Sequence, residues 1–265
     1  MITVDEYENF DAVGLATLIA DKEVSALEVV ESAIARIESR NSALNAVIAT
    51  LFDDARVAVG RGLPRGPLSG VPYLVKDLNT WIEGVPATNG SRAFREHVPE
   101  TDSILISRLR AAGLVILGKT NTPELGLNIC TTSSLFGATK NPFDPQRSAG
   151  GSSGGSACAV AAGMVPAAHA TDSGGSIRIP ASNCGLFGLK PTRARVPLGH
   201  DKPEGLAGFS AVHAVTHSVR DSAVLLDVTA GPMAGDIYSA PAMTMSFLDS
   251  IEKPFKSVRI ALWTE

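Results

Sequence analysis

The stretch from Ser148 to Pro180, SAGGSSGGSACAVAAGMVPAAHATDSGGSIRIP, constrains this chain more than any other. Gly/Ser loops at 150–155 and 173–176 flank an alanine-rich segment. Glycine at that density costs backbone entropy on folding. It belongs where the chain must turn sharply, or where backbone N–H groups must come close to a ligand. Serine is the one reactive side chain that both loops share. The pattern predicts that Ser152 and Ser176 meet in space, with Ser176 as a nucleophile.

At 265 residues the chain can bury a sizeable core. Hydrophobic residues at 45% and charged residues at 19% describe a folded globular protein rather than a disordered one. The net charge of −4 comes without a basic block, which argues against nucleic acid and against an anionic membrane surface. No apolar run is long enough to predict a membrane span, and the acidic N-terminus lacks the core of a signal peptide. Cys130, Cys158 and Cys184 are odd in number and far apart. They form no disulfide framework and fit a reducing, cytoplasmic setting.

Residues 1–60 read as helical. Ser25 and Glu28 form a capping box, followed by Leu27, Val30, Ile34 and Ile37 at helical spacing. That helix is expected to end at Asn41, with a short strand over 46–50 and a helical turn over 53–59. The apolar run 71–75 has strand length and stops at Lys76-Asp77. Residues 81–97 read as loop. Thr101 or Asp102 is expected to cap a helix running to Ala112, with Gly113 beyond its end. A buried strand follows over 114–117. Residues 127–145 read as loop, 155–164 as a tightly packed helix and 165–171 as a second apolar strand. A strand that ends in a glycine turn places the turn at the edge of the sheet, where α/β sites sit. A helix is expected over 177–183, loop over 191–208, a helix over 218–230 and a strand over 257–263. The alternation of helix and apolar strand is that of an α/β fold.

Several motifs compete for the chemistry. Residues 113–120, GLVILGKT, match a phosphate-loop pattern, but their middle is four apolar residues of strand character, so Lys119 reads as part of a buried strand. Residues 150–154, GGSSG, match a nucleophile elbow, but no strand precedes them. His97, His169, His200, His213 and His217 are scattered; only the last two stand four apart, without further ligands for a metal. His169, within a strand, reads as a satisfied core histidine. A serine with no histidine partner needs another base. Lys76, at the end of an apolar strand, is the candidate, because burial disfavours its charged form; an exposed lysine or an ion pair with Asp77 is the alternative. The turn at Ser173, Gly174, Gly175 and Ser176 can converge N–H groups on an oxyanion, a contribution of about 3 kcal/mol per donor. It can equally be a helix start with glycines for close packing.

Four segments together resemble the amidase signature family: GVPYLVKD at 70–77, GKTN at 118–121 with Glu124, GGSSGG at 150–155 and TDSGGSIRIP at 171–180. Ser152 and Ser176 stand 24 residues apart, as in that family. The resemblance implies an α/β fold with a mixed β-sheet covered by helices on both faces. It also implies one domain, with a helical segment over 1–60 and part of a catalytic core over 61–265. In the activity it implies, a carboxamide C–N bond is hydrolysed through an acyl-serine, without metal or organic cofactor. The implied catalytic residues are Ser176 as nucleophile, Ser152 as a bridging serine after a cis peptide, and Lys76 as base. The amides of Ser173, Gly174, Gly175 and Ser176 are the implied oxyanion donors. Ser153 is expected to start a helix, and Asp172 and Arg178 to be structural partners. Ser173, Ala149 and the residues before Lys76 are more similar to the branch that hydrolyses nylon-oligomer cyclic dimers and aryl amides than to the amidotransferase subunit of glutaminyl-tRNA synthesis. The expected partner is a small amide, with a homodimer as candidate assembly, and neither nucleic acid nor membrane. Family chains are much longer, so a truncated or catalytically incomplete member is a further expectation.

Overall fold

The computed structural model describes residues 4–199, 204–254 and 257–262. In chain order the helices and strands begin with α1 (Val4–Tyr7), α2 (Ala12–Ala20), α3 (Ala26–Leu44), β1 (Val47–Thr50), α4 (Phe52–Arg61) and β2 (Pro72–Lys76). They continue with α5 (Ile104–Ala111), β3 (Val115–Thr120), β4 (Thr132–Ser133), β5 (Gly137–Ala138), α6 (Gly154–Ala161) and β6 (Ala167–Asp172). The last are α7 (Arg178–Asn183), β7 (Phe187–Gly188), β8 (Ala211–Thr216), α8 (Val219–Thr229) and α9 (Phe247–Glu252).

Local chemistry explains most of these boundaries. The Ser25 hydroxyl accepts the Glu28 N–H while the Glu28 carboxylate accepts the Ser25 N–H, so two orphan donors at the start of α3 are satisfied reciprocally. The helix runs past Asn41 to Leu44 and ends at Asn45, whose backbone is left-handed at φ 54°. The Asn41 side chain does not stop the helix. Its carboxamide oxygen accepts the N–H groups of Ala46 and Val47 and leads the chain into β1. Helix α5 follows Ser103 rather than Thr101 or Asp102; Asp102 instead accepts the Glu83 N–H and pairs with Arg110.

The main sheet has the order β1-β3-β2-β6-β8-β7. β2 lies parallel to β3 and β6, while β1 is antiparallel to β3, and β8 is antiparallel to β6 and β7. It is therefore a mixed sheet, as the α/β reading expects. Every residue of β2, β3 and β8 is buried, so both faces of these strands are covered. β8, which the sequence pattern did not announce, pairs along the whole of β6. Residues 257–262 form no strand, and Val258, Ile260 and Leu262 are exposed there; a strand needs a hydrogen-bonding neighbour, and none adjoins this segment. Trp263 lies outside the described residues, as does His200. Among the described residues no helix is long and apolar enough to cross a membrane.

Helix α6 packs against the middle of the sheet because its residues are small. A Cβ on Gly155 would stand 2.4 Å from the Asn121 nitrogen and 2.8 Å from the Ala46 carbonyl oxygen. The same glycine donates its N–H to the Asn121 carbonyl at 3.2 Å. Gly60, in exposed α4, would meet nothing within 4 Å. Gly155→Ala should therefore destabilise the fold by about 1–3 kcal/mol through overpacking, whereas Gly60→Ala should stabilise it by about 0.5–1 kcal/mol. Urea denaturation of both variants checks the opposite signs.

Candidate active site

Strand polarity brings the site together. Parallel β2 and β6 end on the same side of the sheet, at Lys76 and Asp172. Helix α6 leads back into β6 through a short turn, so its N-terminus, with Ser152 and Ser153 just before it, lies at that same end. The peptide between Gly151 and Ser152 is cis.

The Lys76 amine is fully buried. Its Nζ stands 2.7 Å from Ser152 Oγ, 2.9 Å from Ser153 Oγ and 2.8 Å from Thr171 Oγ1. Burial lowers its pKa well below the usual lysine value, outweighing the opposing field of Asp172. A neutral amine has two N–H groups and one lone pair, which matches three hydroxyl partners. Ser153 is fixed as an acceptor from the amine, because its own O–H donates to the Thr171 carbonyl at 3.2 Å. The lone pair is thus left for Ser152 or Thr171. Ser153 precedes α6 as expected, yet its side chain makes no capping bond. Ser153 and Thr171 are the polar residues of this cluster that sequence reasoning did not place. The doubled serine was the available signal, as was a threonine five residues before Ser176.

Ser152, Thr171, Ser173 and Ser176 line one cavity of about 250 Å³. Leu78, Leu125, Leu127, Leu198, Leu206 and Val212 supply much of its wall, and no charged side chain lines it. Ser173 is held by a 2.7 Å hydroxyl contact with Ser210, in the approach to β8. The turn after β6 is organised by Asp172. Its carboxylate accepts the N–H groups of Gly175, Ile177 and Arg178 and a two-pronged contact from the Arg178 guanidinium. Burial alone would raise the Asp172 pKa; these donors overcome it and hold it at about 2. The arrangement corrects one expectation. The Gly175 N–H, 2.7 Å from Asp172 Oδ1, is committed to that carboxylate and is not a free oxyanion donor.

The competing motifs resolve into structure. Residues 115–120 are strand, with Lys119 buried, paired with Asp77 and donating to the Pro86 carbonyl. No strand leads into residues 150–154. His213 contacts Ser222 at 2.7 Å and His217 contacts the Val160 carbonyl at 2.9 Å. His97 stacks edge-on against Trp81. Among the described residues no three His, Cys, Asp or Glu side chains gather as a metal site would need.

Sequence profiles tested against the whole chain give a match over residues 28–265 to the family described as Amidase. The chain belongs to that family. It is 43% identical to 6-aminohexanoate-cyclic-dimer hydrolase of Paenarthrobacter ureafaciens, over 96% of this chain and 52% of the relative. It is 38% identical to an acylamidase of Rhodococcus erythropolis, over 94% and 54%. A solved 6-aminohexanoate cyclic dimer hydrolase superposes with a TM-score of 0.91 at 41% identity, covering 98% of this chain and 53% of that one. The chain thus spans about half the length of the relatives it matches, and its fold over that span is the amidase-signature fold.

The buried amine has a measurable signature. Unfolding returns Lys76 to its ordinary pKa near 10.5, so between its lowered pKa and that value the unfolded chain binds more protons. Stability from this residue therefore rises with pH across that window and falls as pH drops. Lys76→Met is expected to flatten the dependence of unfolding free energy on pH between about pH 8 and 10. Urea melts at both ends of that range, for wild type and variant, measure the difference.

Proposed function

We propose that the protein is an amide hydrolase working through a Ser176–Ser152–Lys76 relay. The observation that carries this reading is the neutralised Lys76 amine, 2.7 Å from a serine that shares a cavity wall with Ser176. In this mechanism the Lys76 lone pair accepts the Ser152 proton while Ser152 accepts that of Ser176. The Ser176 oxygen then forms a bond to the carboxamide carbon. The N–H groups of Ser173, Gly174 and Ser176 receive the oxyanion, and Asp172 holds their turn rigid through Gly175. The C–N bond breaks as Ser152 returns a proton to the departing nitrogen. Water, activated by the same relay, attacks the acyl-serine, releasing the acid and restoring Ser176.

The uncharged cavity wall favours a small neutral amide. Moving a carboxylate or ammonium into such surroundings would cost several kcal/mol without a partner. The cyclic dimer for which the Paenarthrobacter relative is named is neutral and is the first substrate to try. A homodimer and a cytoplasmic location belong to the same proposal.

A fluorophosphonate probe tests the nucleophile directly. Wild type is expected to gain one adduct, mapped to Ser176 by mass spectrometry, and Ser176→Ala to gain none. Lys76→Ala should slow labelling by about 10²–10⁴-fold. The wild-type labelling rate should fall as pH drops through the lowered Lys76 pKa, because the ammonium has no lone pair. An adduct at another serine, or labelling indifferent to Lys76, would sink the relay.

A further inference from the structure

His169 holds the strand that carries Lys76, and it does so with its side chain. Parallel β2 and β6 share one paired position, Leu74 with Ala168. Two residues further along β2, the Lys76 N–H points towards β6 and donates to His169 Nδ1 at 3.2 Å. The imidazole supplies this acceptor where the sheet shows no further paired position. On the other edge of β2 the ladder continues, with Lys76 opposite Thr120 of β3. The His169 main chain is itself clamped: Ser156 of α6 donates to its carbonyl at 2.6 Å, and Ser156 in turn contacts Thr120 at 2.7 Å. One residue therefore ties together the strand bearing the amine and the helix that follows Ser152 and Ser153.

The chemistry of the ring fits one tautomer. To accept from the Lys76 N–H, Nδ1 must be unprotonated, so the proton sits on Nε2. Nε2 is buried and has no hydrogen-bond partner. The ring's one hydrogen bond is thus the one to Lys76. An apolar residue here would leave the Lys76 N–H unmet beside the amine; histidine moves the unmet donor to the far side of the ring. Burial, reinforced by Lys76 on β2, His213 on β8 and Lys119 on β3, lowers the His169 pKa to about 3, which keeps the accepting form in place. The sequence expectation of a satisfied core histidine holds for Nδ1 and fails for Nε2.

We infer that His169 is a positioning residue, a neutral Nε2–H imidazole that anchors the Lys76 main chain and thereby sets its amine against Ser152. This deepens the hydrolase reading and rests on Lys76 being the base. Lys76 lies at the last residue of β2, so its side chain reaches the serines only if that terminal position is held.

The test compares wild type with His169→Leu and His169→Asn, the latter because its side-chain oxygen can stand where Nδ1 does. Two readings are taken: hydrogen exchange at the Lys76 amide, and the rate of fluorophosphonate labelling at Ser176. His169→Leu should lose protection at that amide and label about ten-fold more slowly, as for a lost hydrogen bond at a buried donor. His169→Asn should recover a large part of both. In wild type, nitrogen NMR should find the ring as the Nε2–H tautomer throughout the neutral range. Unchanged protection in the leucine variant, or unchanged labelling, would overturn the inference. Equal slowing in both variants with equal loss of thermal stability would also overturn it, since that is the behaviour of a packing residue. If wild type takes no probe, the relay itself fails, while amide exchange still decides whether His169 anchors Lys76.

Discussion

An amine with no access to water has to be accommodated in its neutral form or be matched by negative charge, and the centre of this structure takes the first course. Lys76 meets three hydroxyls and no carboxylate within hydrogen-bonding distance. Those hydroxyls come from two chain segments far from β2 in sequence, so the sheet and α6 must be in register before the amine has partners. The small residues of α6 permit that register. Gly155 lets the helix backbone lie on Asn121, and the serines at its start then fall beside the end of β2. The polar cluster and the packing of the sheet are in this sense one constraint.

Charge is handled differently a few ångströms away. Lys119 and Asp77 are both buried and are paired with one another, with Asp77 also accepting from Thr88. Asp172 is surrounded by donors and bound to Arg178. Adjacent residues in the chain, Lys76 and Asp77, therefore belong to separate networks. Pairing them with one another would have kept the Lys76 ammonium charged, because an opposite charge nearby favours the ionised form. The alternation of β2 sends their side chains to opposite faces and keeps the networks apart.

How much of this could be read beforehand depended on whether a signal was local. The runs 71–75 and 114–117 are apolar enough to announce β2 and β3 by themselves, and the Ser25–Glu28 box announced α3. β8 was hidden because Ala211–Thr216 mixes small residues with a histidine; its burial comes from pairing with β6, which no local pattern reveals. Residues 257–262 show the reverse, an alternating pattern without a sheet neighbour. Within the site, Lys76, Ser152 and Ser176 stood out through family resemblance and the doubled glycine loops. Ser153 was read as a helix start because position before an alanine-rich run suggests capping. Its actual partner is an amine 77 residues earlier in the chain. The Gly175 amide was assigned to a ligand, when the adjacent carboxylate of Asp172 was closer.

The uncharged cavity has a consequence for what happens after bond cleavage. A neutral amide enters such a space with little loss of hydration. Its hydrolysis creates a carboxylic acid and an amine, which near neutral pH become a carboxylate and an ammonium. Leucines and hydroxyls at the wall offer these ions far less than water does. The same surface that admits the reactant is therefore a poor host for the products, and solvation outside the cavity pulls them out. Turnover in a cavity of this kind would resist inhibition by its own products without any moving part devoted to release.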